Sequence, residues 1–273
     1  MTLPWNFGVA QAVFWRFGLE EAIKTVTDFN FKVFELWCDH PLVYPILEGK
    51  AGYKILLTLR EKYGISYTVH APPHDVNIAS INEGIRRESL RQILRSIEIA
   101  YNVDSPIVTL HPGRLTTRKV PREVYIRNAI DSLNEIADYA ERYGVKVGVE
   151  NMECNPQQFL VDPTIVREVV ESVNSKLLGV TLDIAHANTC GDPIGYIEEL
   201  KDLIIHVHLS NNFGGDIGKV HLPLNMGNMN VELVLRKLHS IGYKGVIVLE
   251  GGGKDVKEVL KANRQVIDCI RVS

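Results

Sequence analysis

Long apolar runs are missing from this chain of 273 residues. No stretch approaches the roughly 18 to 20 consecutive apolar residues that span a bilayer, which excludes a membrane-spanning helix. The first fifteen positions (MTLPWNFGVAQAVFW) contain no Lys or Arg, so the basic opening of a signal peptide is also missing. Cysteine is scarce. Cys38, Cys154, Cys190 and Cys269 form no C-x-x-C pair, which excludes a disulfide scaffold and points to a reducing cytoplasm. Neither sign of charge dominates: 30 Lys+Arg against 33 Asp+Glu give a net charge of −3, with no electrostatic pull toward nucleic acid. No Pro/Gly/Ser linker interrupts the chain, so residues 1–273 are expected to form a single domain. No Gly-rich turn follows the first apolar run, which argues against an open doubly wound dinucleotide-binding sheet.

Present instead is a regular alternation. Short, nearly continuous apolar runs occur near 5–10, 32–37, 65–70, 106–111, 145–150, 178–183, 203–208 and 245–250. Each is too short for a helix and has the composition of a strand buried on both faces. Amphipathic stretches separate them, among them RRESLRQILRSIEIAYN (86–102) and PREVYIRNAIDSLNEIADYAERYG (121–144). In the second, Pro121 suits a first helical turn and Gly144 a left-handed cap. EKYGISYTVH (61–70) and ERYGVKVGVE (141–150) repeat one pattern of helix end, Gly and strand, and HSIGYKGVIVLE (239–250) is a looser copy. Eight strand–helix units with right-handed crossovers predict a closed (β/α)8 TIM barrel, of α/β class.

The last residues of six consecutive strands are His70, His111, Glu150, Asp183, His208 and Glu250, each about one barrel unit from the next. Barrel sites lie at the carboxyl ends of the strands, so these groups would converge on one mouth. Clustered carboxylates repel unless a cation sits among them, and a mixed His/carboxylate set suits Zn, Mn, Co, Mg or Fe better than Ca. Taken singly, each could instead be a hydrogen-bonded polar group. His206 lies on the same strand face as His208 and is expected one layer deeper as a packed, hydrogen-bonded residue. Glu35, at the end of VFEL, could enter the site or support it from behind. His40, His74 and His239 are expected to be structural or exposed. The Gly251–Gly253 loop could bind phosphate but fits a plain tight turn, and Arg114, Arg118 and Lys119 fit a solvated loop.

VHAPPHDVN (69–77), LHPGR (110–114), VENM (149–152), TLDIAH (181–186), HVHLSNN (206–212), VHLPLNMG (220–227) and VLEGG (248–252), in that order, resemble the xylose isomerase-like TIM barrel superfamily. That group holds sugar and sugar-phosphate isomerases and epimerases, together with endonuclease IV-type apurinic endonucleases. The resemblance implies one divalent ion held by Glu150, Asp183, His208 and Glu250. It implies catalytic roles for Glu150, Glu250 and His186, and substrate contacts from His70, His111, His186 and His221. In the endonuclease branch, His70 and His111 would hold a further ion beside a bridging Glu150. A third ion there needs an Asp-x-His pair, where this chain has Lys219-Val220-His221. Asp216 stands five residues before His221 and is a poor substitute.

The resemblance therefore implies a metal-dependent isomerase or epimerase of a small sugar or sugar phosphate, moving a proton through a metal-stabilised enediolate. The alternative is zinc-cluster hydrolysis of abasic DNA, disfavoured by Lys219, the net charge and loops expected to be short. A barrel that binds without turnover is a third possibility. No membrane partner is expected, nucleic acid is disfavoured, and a homo-oligomer is left open.

Overall fold

The computed structural model describes residues 3–215 and 217–271. Eight parallel strands pair in chain order, and the last pairs with the first, so the sheet closes into a single (β/α)8 barrel. They are β1 (Phe7–Ala10), β2 (Val33–Trp37), β3 (Ser66–His70), β4 (Ile107–Leu110), β5 (Lys146–Glu150), β6 (Leu178–Asp183), β7 (Ile204–Leu209) and β8 (Ile247–Leu249). Seven lie within the expected apolar runs, and β7 runs one residue past its own, to Leu209. The reason is burial: β1, β4, β6 and β8 are buried at every position, as strands covered on both faces must be.

The outer layer comprises α1 (Leu19–Asp28), α2 (Tyr44–Leu47), α3 (Lys50–Tyr63), α4 (Glu83–Asn102), α5 (Arg122–Tyr143), α6 (Pro163–Glu171), α7 (Ile184–Thr189), α8 (Pro193–Leu200), α9 (Val231–Ser240) and α10 (Val256–Cys269). Among the described residues, none of these is long and apolar enough to cross a membrane. The repeated helix–Gly–strand pattern has a common cause. Gly64 and Gly144 close α3 and α5 at φ 59° and 65°, a left-handed conformation that turns the chain directly into β3 and β5. Pro121 departs from expectation by one position. It caps α5 from outside with extended backbone (φ −55°, ψ 142°), leaving its lack of an N–H harmless.

Two further expectations need correction. Glu35 does not end β2: it occupies the middle of the strand, and Trp37 ends it. The strand-to-helix connections are also not uniformly short. Residues 210–230 form a long segment between β7 and α9, fastened by paired backbone hydrogen bonds between Asn211 and Leu222 (3.0 and 2.8 Å). The Asn211 and Asn212 side chains brace it from beneath, reaching the carbonyls of Leu224 and Val220. Loop length therefore carries no weight against the nuclease alternative.

Candidate metal centre

Strand ends place the reactive groups. Glu150 ends β5 and Asp183 ends β6, His208 is next to last in β7, and Glu250 follows β8 directly. Their donor atoms all lie within 4.8 Å of one another, and all four residues are buried. His208 Nδ1 stands 3.0 Å from Glu150 Oε1 and 3.4 Å from Glu250 Oε1. The four groups thus share one small volume, of which Glu150 and Glu250 line a pocket of about 600 Å³.

Asp183 is fixed from three directions. Its Oδ1 accepts the His186 N–H at 2.7 Å, capping α7. Asn151 holds its main chain at both groups, accepting from the Asp183 N–H (2.8 Å) and donating to the Asp183 carbonyl (3.0 Å). Oδ2 is left buried without a hydrogen-bond partner. An orphaned carboxylate oxygen among two other carboxylates is costly unless something positive meets it.

The electrostatics agree. Burial would raise Glu150, but the His208 charge and hydrogen bonds from His111, His208 and His70 outweigh it and hold the carboxyl well below the usual range. Glu250 goes the other way. Burial, only partly offset by His208 and reinforced by Glu150, Asp183 and Glu35, pushes it well above a normal carboxylate. His208, although buried, is lifted well above an ordinary imidazole by Glu250, Glu35 and Glu150. Left to its own charges, the cluster needs added protons. Three carboxylates, one imidazole and an unpartnered oxygen fit a divalent cation, by donor type and by charge.

A second group adjoins the first. Glu150 Oε2 lies 3.3 Å from His70 Nε2 and 3.2 Å from His111 Nε2, so Glu150 presents its two oxygens to two sides. The donors of His70, His111 and Glu150 also fall within 4.8 Å of one another. So do those of Asp183, His186 and His221.

A model of the xylose isomerase-like TIM barrel family matches residues 23–271. The chain belongs to this family. An uncharacterised protein of Methanocaldococcus jannaschii is 36% identical over 99% of this chain and 91% of its own length. Fructoselysine 3-epimerase of Shigella flexneri is 24% identical over 86% of each chain. Among solved structures, a D-tagatose 3-epimerase-like protein superposes with a TM-score of 0.84 at 35% identity, covering 96% of this chain and 98% of that one.

In this xylose isomerase-like barrel, His70, His111, His186 and His221 all line the pocket beside Glu150 and Glu250. His186 Nδ1 donates to the Asn151 carbonyl (2.8 Å), which turns Nε2 away from that carbonyl toward Glu153 (4.0 Å). His221 lies 3.7 Å from Glu250 Oε2, with Ser210 Oγ 2.9 Å from its Nδ1. Lys219 and Arg114 reach the same pocket, whereas Arg118 and Lys119 are exposed outside its lining. Asp216 lies outside the described residues. Gly252 and Gly253 line a separate cavity with Arg16 and Lys254. His40 is fully buried against Trp15, and His239 packs edge-on to Trp5, both away from the pocket.

His74 is exposed, as expected, but also borders the pocket. It lines the pocket with Trp37 and is held by Asp39 at 2.8 Å. Sequence reasoning passed over His74, Trp37, Glu153 and the supporting role of Asn151. Only Asn151 had a signal, its place directly after Glu150 in VENM.

Proposed function

We propose that the protein is a divalent-metal-dependent epimerase or isomerase of a small sugar or sugar phosphate. One observation carries this reading: Glu150, Asp183, His208 and Glu250, at the ends of four strands, bring their donors within 4.8 Å of one another, and Glu150 and Glu250 among them open onto a pocket. Two relatives named as epimerase or epimerase-like support the substrate class.

A divalent ion bound there would polarise a substrate carbonyl and acidify the neighbouring C–H. Glu150 and Glu250 project from strands three steps apart in the ring, so they can approach a substrate carbon from opposite faces. One carboxylate removes the C–H proton, and the other returns a proton from the far side, inverting that carbon. Return to the adjacent carbon gives aldose–ketose isomerisation instead. His186, its ring fixed through Nδ1, presents Nε2 to the substrate oxygen that gathers charge.

The test is hydrogen exchange. Metal-loaded protein incubated with ketoses in deuterium oxide should place deuterium at the carbon beside the carbonyl. Glu150→Gln should slow this by about 10²–10⁴-fold, the usual range for a lost general base. Exchange at the wild-type rate in that variant would refute the reading. The His70–His111–Glu150 group favours a second reading, hydrolysis at abasic sites, which nicking of an abasic duplex by the wild type would support.

A further inference from the structure

Beneath the four candidate ligands lies a second buried polar layer, and it belongs to β2 rather than to any strand end. Glu35 is fully buried in mid-strand. Its Oε2 accepts from Thr68 Oγ1 at 2.9 Å and from His206 Nε2 at 3.0 Å. Its Oε1 stands 3.0 Å from His208 Nε2, and apart from this approach both atoms are buried without a hydrogen-bond partner. On the other edge of the same ring, His208 Nδ1 faces Glu150 and Glu250.

We infer that Glu35 is a positioning residue of the metal centre: it would hold the Nε2–H of His208, leaving the Nδ1 lone pair on the side of Glu150 and Glu250, the groups that would hold the ion with it. The inference rests on the metal-centre reading above. An imidazole can bind a metal through one nitrogen only if the other carries the proton, and a carboxylate behind it fixes both tautomer and ring orientation. Thr68 and His206 in turn keep Glu35 from rotating away. Two donors meet one oxygen of this carboxylate, and the His208 ring nitrogen faces the other. A glutamine cannot replace it, because its single oxygen leaves an N–H facing at least one of those donors.

The experiment is titration of metal-free protein with Co2+, followed by calorimetry and by visible absorption. Glu35→Gln should raise the Kd about 10–100-fold, the effect typical of losing an outer partner of a metal-binding His, and should alter the cobalt band. Thr109→Val supplies the structural control. It breaks an equally buried hydrogen bond, to Thr181 (2.9 Å), that does not touch His208. It should lower the melting temperature and leave the Kd alone. Should Glu35→Gln fail to fold, Thr68→Val removes one of the donors that steady Glu35 and should raise the Kd by a smaller factor, about 2–10-fold. Wild-type affinity, within twofold, in the folded Glu35 or Thr68 variant overturns the inference. So does binding of two Co2+ by the wild type and one by Glu35→Gln with unchanged Kd, since Glu35, His206 and His208 would then be ligands themselves. A wild type that takes up no Co2+ overturns the metal-centre reading and this inference together.

Discussion

Glu250 and His208 are the two proposed ligands whose surroundings favour the protonated form. Burial and the neighbouring carboxylates raise Glu250 well above its usual range, and His208 is raised well above 6.5 by Glu250, Glu35 and Glu150. Both therefore favour the protonated form more than the free groups do. Glu150, held well below its usual range, is already ionised and has no proton to give up. Ligation requires the deprotonated form of each group, so a group with a raised pKa releases its proton on binding, and affinity must climb as pH rises. Binding of Mn2+ at pH 7 should release about one to two protons, measurable by calorimetry in buffers of different ionisation enthalpy. A Kd that stays constant from pH 6 to 8, with no proton release, would show that these two groups are not ligands.

Strands β5 and β6 pack backbone to backbone at Gly148, and a methyl group there has no room. An added Cβ would meet Thr181 Oγ1 at 2.0 Å, displacing the hydroxyl that pairs with Thr109. At Gly144, four residues earlier, nothing lies within 4 Å, and the only obstacle is the left-handed backbone at φ 65°. Gly144→Ala should therefore cost about 1 kcal/mol, from backbone strain alone. Gly148→Ala should cost more, about 1–3 kcal/mol from overpacking, and should also reduce metal affinity because β5 carries Glu150. Urea unfolding of both variants checks the order, and equal losses would contradict it. The same pair of strands shows what the sequence makes legible. A buried strand in a barrel must be apolar until it reaches the mouth, so a run ending in His, Asp or Glu announces both strand and site residue. That logic picked out Glu150, Asp183, His208 and Glu250, whose donors lie within 4.8 Å of one another. It also named Glu35 as a group that could enter or support the site but set it at the strand end, since its mid-strand place beside His206, 171 positions away, follows only from the closed barrel. It gave no place in the pocket to Trp37, an apolar last residue of β2, or to His74 in the loop beyond β3, because neither stands out from its surroundings in a periodic pattern.

Closing the barrel forces three carboxylates into one volume, and the fold must balance that charge. β8 pairs with β1 to complete the ring, which brings Glu250 to within joint-ligation distance of Glu150 and Asp183 even though the chain places them 67 to 100 positions apart. In the metal-free molecule the raised His208 offsets part of that charge, whereas the burial of Glu250 among like charges and the unpaired Asp183 Oδ2 both lower the stability of the closed ring. A cation that binds only the folded barrel would relieve both costs at once. At a free concentration a hundred times its Kd, it adds about 2.7 kcal/mol by mass action. For a chain of this size that corresponds to a rise in melting temperature of roughly 5–10 °C. Mn2+ or Co2+ should produce the shift, and chelation followed by dialysis should reverse it. Asp183→Asn removes one of the three charges while keeping the α7 cap acceptor, so it should stabilise the metal-free protein slightly and abolish most of the metal-induced rise. A metal-induced shift of the same size in Asp183→Asn would place the ion elsewhere in the molecule.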